Sequence, residues 1–365
     1  MAQTFEFGLD TFGDITKGFD GTLLSHAQVV RNVIEEAALA DALGVDAFGV
    51  GEHHRPDFAV SAPEVVLAAI ASRTKRIKLG SAVTVLSSDD PIRVFERFST
   101  LNAASNGRAE VTVGRGSFTE SFPLFGLDLA EYEELFEEKL DLFVTVLRNE
   151  QVTWQGRLRP PLKNQRVFPP IENGPLRTDV LKTDVLKTDV LKTWVGVGGS
   201  PESVVRAANY DLPLALAIIG GDPKRFRPFV DLYHRSFAQL GRPTKDIAVH
   251  SPGHVGTTDA QAREEYWSGY KAMHDKIGGE RGWPPIGRAQ FEHEVEQGSL
   301  YVGAPETVAR KIASTAKALG IVRFDMKYSA GTLPHAAMMQ SIELYGKKVM
   351  PLVREMLVEA KVPAA

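Results

Sequence analysis

A single α/β domain over residues 1–365, closed as a (β/α)8 or TIM barrel with insertions before strand five and after strand seven, is predicted by three observations. Short β-rich runs alternate with helical stretches from the first residues onward, eight such pairs can be counted, and the length suits one barrel of about 250 residues carrying insertions. An eight-stranded parallel sheet closes more naturally than it stays open and doubly wound. With 43% hydrophobic and 24% charged residues the chain can bury a large core, which excludes the disordered and coiled-coil classes.

The first strand falls at residues 5–10, before a helix at 29–43 whose repeated alanines suit packing on a sheet and which Gly44 ends as a C-cap. Strand two is 47–51 and helix two 62–73. Strand three is 77–85 and helix three 91–102, with Pro91 in its first turn. Strand four, 109–113, leads to an acidic-headed helix at 130–148, and strand five, 194–197, to a helix opened by Ser200 and Pro201. Strand six is 214–219, with 223–240 helical after it, and strand seven is 247–255. A helix at 305–319 capped by Gly320, strand eight at 324–328 and a last helix at 334–349 complete the repeat.

Residues 152–193 and 257–303 exceed this repeat. The second stretch follows a strand and is expected over the catalytic face, where Trp267, Tyr270, His274, Trp283 and His293 form either a lid and pocket wall or a helical excursion packing its own aromatics. Residues 178–192 read TDVLK three times over. A period of five builds one apolar side neither on a helix nor on a strand, so the insertion reads as a tandem duplication, or an error in the recorded sequence, expected at the stability face of the barrel.

Charge and composition narrow the chemistry. Lysine and arginine number 42 against 46 acids, for a formal charge of -4, with no basic block, so a nucleic-acid footprint is absent. No apolar run approaches the roughly 18 residues that span a bilayer, and the polar start lacks the regions of a signal peptide, so a cytoplasmic location is expected. Without cysteine, thiolate nucleophiles, disulfides and zinc–cysteine sites are impossible. Chemistry must come from histidine, acids, arginine, serine or a cofactor.

The strand ends hold such groups. Strand two closes with Gly51-Glu52-His53-His54, an acid and two imidazoles where barrel enzymes place catalytic residues. Adjacent strand residues point to opposite sides, so His53 and His54 are poorly placed to chelate one metal, and no metal site is assigned. Strand four runs into Gly114-Arg115-Gly116, a permanent guanidinium between glycines that let a ligand approach the backbone. Strand five runs into Gly198-Gly199-Ser200-Pro201, where Ser200 is the N-cap and the free amides of the helix start attract an anion. As a dinucleotide fingerprint this segment fails, because Pro201 holds the third glycine position and the strand is the fifth. Two such turns on neighbouring strands, one carrying arginine, point together to a phosphate.

These residues resemble the bacterial luciferase-like flavin-dependent monooxygenases over nearly the whole chain. The likeness rests on GEHH at 51–54, TVLSSDDPIRVFERFSTLNAASNGR at 84–108, VGRG at 113–116, WVGVGGSPES at 194–203, YVGAPETVARKI at 301–312 and the ending GTLPHAAMMQSIELYGKKVMPLVRE at 331–355. The resemblance implies FMN at the C-terminal face, its phosphate held by Arg115 and Ser200 with Gly114, Gly116, Gly198 and Gly199, and its ring near Thr84 and Val85. It makes His53 the active-site imidazole, with Glu52 positioning it or instead linked to Arg55 or Arg115. It also implies a non-proline cis peptide near residues 83–86 and a homodimer through helices two and three, with Ala68, Ala69, Ile92, Phe95 and Phe98 as interface candidates. Gly114 stands where luciferase-like sequences carry a reactive cysteine, so light emission is not implied.

The implied activity is oxidation of a small organic substrate by dioxygen and reduced FMN, the reducing equivalents coming from NAD(P)H directly or through a separate flavin reductase. Two alternatives stay open: hydride transfer with the deazaflavin F420, and a flavin-binding protein without turnover or a metal-dependent barrel hydrolase.

Overall fold

The computed structural model describes residues 4–18, 20–116, 118–171 and 191–359. Backbone register builds the barrel. β1 (Glu6–Thr11) lies between β2 (Ala47–Val50) and β12 (Arg323–Lys327). From β12 the parallel order runs through β10 (Ile247–Val255), β9 (Leu214–Ala217) and β8 (Lys192–Val197) to β5 (Glu110–Gly114). On the other side β2 pairs with β3 (Lys78–Ser81), and the Leu79 N–H donates to Arg108 O at 2.8 Å beside a bridge to Ala109, which closes the ring. The strand expected at 77–85 is split: the cis peptide Ala82–Val83 falls between β3 and β4 (Thr84–Val85), and β4 continues the same barrel position against β5. Eight barrel positions result.

The crossover helices cover the outside. They are α1 (His26–Ala42), α2 (Pro63–Arg73), α3 (Pro91–Ala104), α5 (Tyr132–Arg148), α6 (Pro201–Asn209), α7 (Arg227–Gln239), α10 (Pro305–Leu319) and α11 (His335–Leu344), the last prolonged through a π turn into α12 (Met350–Glu359). Ser25, Asp90 and Ser200 cap α1, α3 and α6 by accepting hydrogen bonds from first-turn amides. Before α5 the chain first makes a short helix, α4 (Ser121–Leu124), and a 3-10 turn whose Ala130 amide is capped by Asp128, so the helix expected from 130 starts later. An antiparallel hairpin of β6 (Val152–Trp154) and β7 (Leu162–Gln165) lies in the first insertion. The TDVLK repeat at 178–192 lies outside the described residues except for Leu191 and Lys192, which lead into β8.

The strands present two unlike faces. Outward, Phe7, Leu9, Phe48, Leu79, Val111, Val195, Leu216, Val249 and Phe324 are buried against the helices and form the apolar core. Inward, register sets Gly8 beside Asp325 and Asp325 beside His250, while Asp10 aligns with Lys327 and Gly49. Gly8, Gly49, Gly80, Gly196, Ala215 and Ala248 leave room inside the ring for Glu6, Asp10, Glu110, Arg323, Asp325 and Lys327. Arg323 bonds Glu110 across the barrel at 2.5 Å and Asp325 at 2.7 Å, and Trp194 Nε1 donates to Glu110 at 3.3 Å. Burial works against a charged Glu110, yet Arg323, Lys78 and Lys192 hold its carboxyl down at about 2. Burial dominates at Asp325, whose carboxyl is pushed up to about 6 despite Arg323.

Residues 257–303 form α8 (Asp259–Arg281), α9 (Arg288–Glu296) and β11 (Tyr301–Gly303), which pairs with β10. α8 is tied to the loop after β2 by Arg55–Glu280 and Lys276–Asp57 bonds, each 2.6 Å. The excursion packs its own aromatics, Trp267 and Tyr270 on Phe291 and His274 on Trp283, while His293 is exposed. Of the interface candidates, Phe95 and Phe98 are core residues, Ala69 and Ile92 are partly buried and Ala68 is exposed. Among the described residues no helix is long and apolar enough to cross a membrane.

Candidate functional site

The loops after β1, β2, β4, β5 and β8 meet at the C-terminal mouth. His53 sits in a cage of rings there: Phe58 stacks on it at 4.4 Å, and Phe12 and Phe118 approach edge-on at 4.7 and 4.8 Å. Its Nδ1 is buried without a hydrogen bond, 3.5 Å from Glu120 Oε1. Burial disfavours a charged Glu120, but His53 and the backbone amides of His54 and Glu120 itself hold its carboxyl below the usual range.

Glu52 does not serve His53. One oxygen bonds His54 Nε2 at 2.9 Å and the other accepts the Val85 N–H at 3.0 Å, so the acid fixes the neighbouring imidazole and the backbone just past the cis peptide. The bond to Glu52 raises the His54 pKa, with burial opposing it. Neither Arg55 nor Arg115 pairs with Glu52: Arg55 bonds Asp57 and Glu280, and Arg115 bonds Glu133. Thr84 is fully buried and its hydroxyl donates to Ser81 Oγ at 2.9 Å.

Arg115 and the last turn of α6 share a carboxylate. Glu133 on α5 takes Arg115 on one oxygen and Arg206 of α6 on the other, at 3.7 Å. Ser200 Oγ accepts from the Ser203 amide and donates to Glu202, whose carboxyl that hydroxyl lowers first, with Arg115 and Arg206 adding to the effect. A Cβ at Gly198 or Gly199 would meet nothing within 4 Å, and Gly199 has a φ of 122°, which leaves open space at the helix start. Gly114 and Gly116 instead admit protein neighbours: a Cβ there would stand 2.8 Å from Val83 and Val85 respectively. Those contacts, with Glu52 on Val85, join the end of β2 to Arg115. A guanidinium, a helix N-terminus and open glycine backbone form a donor set suited to a phosphate.

Beside His53 lies a cleft of about 530 Å³. Phe118, Phe122, Pro123, Leu127 and Leu129 give it an apolar wall, and Arg55, Arg281, Glu120 and Glu280 a charged rim. Arg55 and Arg281 both lie over the Phe118 ring, at 5.2 and 4.6 Å.

The floor of the mouth carries charges that no strand-end motif includes. Lys327 Nζ bonds Asp14 Oδ2 at 3.0 Å and lies 4.7 Å from the Phe12 ring, and Asp10 accepts from His250 Nδ1 at 2.7 Å. The signal was present as alternation, since EFGLDT and RFDMK each place charges on one face of a strand otherwise apolar.

A family model described as luciferase-like monooxygenase matches residues 11–323. Limonene 1,2-monooxygenase of Rhodococcus erythropolis is 36% identical over 152 residues, covering 41% of this chain and 39% of that protein. The chain spans less than half the length of the first curated relatives it matches. Among solved structures, monooxygenase RslO1 from Streptomyces bottropensis superposes with a TM-score of 0.78 at 20% identity, covering 95% and 99% of the two chains. The oxygenating constituent of 3,6-diketocamphane monooxygenase from Pseudomonas putida, in complex with FMN, gives 0.74 at 18%, covering 96% and 99%. An F420-dependent secondary alcohol dehydrogenase gives 0.68 at 16%, covering 96% and 99%. At such identities these likenesses speak for the fold. With the family match across most of its length, the chain belongs to the luciferase-like monooxygenases.

Proposed function

We propose that this protein is an FMN-dependent monooxygenase that oxidises a small organic substrate with dioxygen and reduced flavin. The observation that carries the reading is the Arg115 guanidinium at the end of β5, which holds the Glu133 carboxylate together with Arg206 from the last turn of α6 and whose charge also reaches Glu202 at the start of that helix, supporting an anion position there. Arg115, Ser200, Gly198 and Gly199 would hold the phosphate there, with His53 and the backbone at Thr84 and Val85 toward the ring. FMN when bound supplies the redox chemistry with oxygen. The protein's part is to orient it, and to keep water from the reacting centre with the rings of Phe12, Phe58 and Phe118 around His53. The apolar wall of the cleft suits a substrate with a hydrocarbon body. Reduced flavin reaches the site from NAD(P)H or from a separate reductase, and the exposed face of α2 at Ala68 is where a homodimer would form.

Titration of the purified protein with FMN and with F420, followed by oxygen uptake in the presence of reduced FMN, tests the proposal. Saturable FMN binding that weakens in Arg115→Ala, together with oxygen uptake, supports it. Selective F420 binding moves the protein to the hydride-transfer reading, and binding of neither overturns both.

A further inference from the structure

Besides His53 and His54, the mouth holds a third imidazole that the motifs of the loops do not include. His250 lies on β10, in register with Asp325 on β12 and Ala217 on β9, and its backbone oxygen accepts from Ile218 at 2.9 Å, where β9 ends. Its Nδ1 bonds Asp10 Oδ2 on β1 at 2.7 Å, and Asp10 is 2% exposed. A carboxylate on Nδ1 fixes the neutral tautomer with the proton on that nitrogen and leaves Nε2 as the exchanging site. Nε2 makes no hydrogen bond among the described residues, and the side chain is 16% exposed. The Phe12 ring lies parallel to the imidazole at 6.1 Å and also touches His53 at 4.7 Å, so the two histidines flank one phenyl ring.

His53 differs in what holds it. Three phenyl rings surround it, and its Nδ1 lies 3.5 Å from Glu120 Oε1 without the close hydrogen bond that Asp10 gives His250. A group that moves protons in a turnover cycle needs a fixed tautomer and a nitrogen open to the reacting molecule. His250 has both.

We propose that His250, oriented by Asp10, is the acid–base residue of this barrel, with Nε2 facing the molecule bound at the mouth. The assignment rests on the monooxygenase reading above. In the overall reaction, substrate, dioxygen and reduced flavin give oxygenated substrate, water and oxidised flavin. With substrate one oxygen atom leaves as water, and without it both leave as hydrogen peroxide; in either case the imidazolium of His250 gives its Nε2 proton to the departing oxygen, and the neutral ring, still protonated on Nδ1, takes a proton back from solvent, so the imidazolium is restored over a cycle. Asp10 is the positioning residue. The charges facing the ring are Asp10 on β1 and Asp325 and Lys327 on β12, while β9 presents Ala217. Burial lowers the His250 pKa, but Asp10 and Asp325 outweigh it and raise it above the ordinary value.

The test uses the full chain and the variants His250→Gln, Asp10→Asn and His53→Gln. FMN titration checks that each variant still binds, nitrogen-15 histidine NMR reads tautomer and titration in the flavin-free protein, and air reoxidation of bound reduced FMN, which releases hydrogen peroxide when no substrate is present, is followed against pH. His250→Gln is expected to bind FMN within threefold of the parent, to reoxidise it roughly a hundredfold more slowly and to lose the limb that falls at high pH. Asp10→Asn should move that limb to lower pH and mix the tautomers, and His53→Gln should retain it. A limb unchanged in His250→Gln, or an NMR spectrum with the neutral ring protonated on Nε2, overturns the proposal. Failure of the unsubstituted protein to bind FMN strikes the monooxygenase reading instead, and the NMR titration still decides whether Asp10 holds the ring.

Discussion

The two faces of the barrel strands use the same backbone for opposite purposes. Toward the helices, Phe7, Leu9, Phe48 and Leu79 are fully buried among other apolar side chains, and substitution there removes contacts whose worth scales with volume. Toward the axis, charged groups share the space with glycines and alanines, and the charges are tolerated because they pair, Arg323 with Glu110 across the barrel and with Asp325 on its own strand. Glu110 on β5 reaches Arg323 on β12, 213 residues away in sequence. The outer layer stabilises; the inner layer holds charge in place beneath the mouth, at the cost of stability that apolar side chains would have supplied.

That contrast can be broken most strongly at Glu110. Glu110→Ala should destabilise by about 3–5 kcal/mol in urea unfolding, because it takes from buried Arg323 the carboxylate across the barrel, leaving it Asp325, and removes the acceptor of Trp194 Nε1, whereas a Glu110→Leu, Arg323→Met double variant should recover most of the loss. If the double variant is as unstable as the single one, the inner layer is contributing packing and not only charge. In the outer layer Leu79→Ala should cost about 2–5 kcal/mol by the same measurement, with no recovery from a polar second change. At the mouth, Arg115→Ala should weaken FMN binding by about 1.5–3 kcal/mol, or roughly ten- to a hundredfold, in a fluorescence titration, with unfolding little altered.

Asp325 offers a pH test of the inner layer. Its folded pKa of about 6 lies above the ordinary 3.8, so the folded state holds this proton more tightly. The contribution to stability is present below 3.8 and is lost as pH rises through about 6. Asp325→Asn should flatten that part of the stability profile, and an unchanged profile would show that the carboxyl is ionised throughout. The smallest effect is expected at Glu133→Gln, where a largely exposed carboxylate leaves Arg115 and FMN affinity should rise by a few-fold at most.

Much of the architecture was legible because eight strand–helix pairs repeat and because Gly44, Pro91, Ser200 and Gly320 punctuate them with local chemistry, whereas the Ser25 cap that starts α1 at His26, ahead of the expected 29, went unread. The break in the third strand was not legible as periodicity, since residues 77–85 alternate normally and tertiary pairing alone moves Val85 onto β5. At the site, His53, Arg115 and Ser200 could be placed because strand ends on one face of a barrel converge whatever the loops do. The partner of Glu52 could not, because strand alternation gives direction and not reach, and the Val85 amide it accepts from belongs to a different turn. Phe118 and Glu120 lie in a loop with no period to read. The Asp10–His250 pair was written in the alternation, but only the topology shows that β1 and β10 both flank β12.

The carboxylate already seated between Arg115 and Arg206 bears on how an anion would arrive. An incoming ligand exchanges one counter-charge for another and does not neutralise a bare cation, so the number of bulk ions displaced on binding is small. Affinity should then fall with ionic strength less steeply than at an uncompensated arginine pair, leaving the site usable across a broad range of salt.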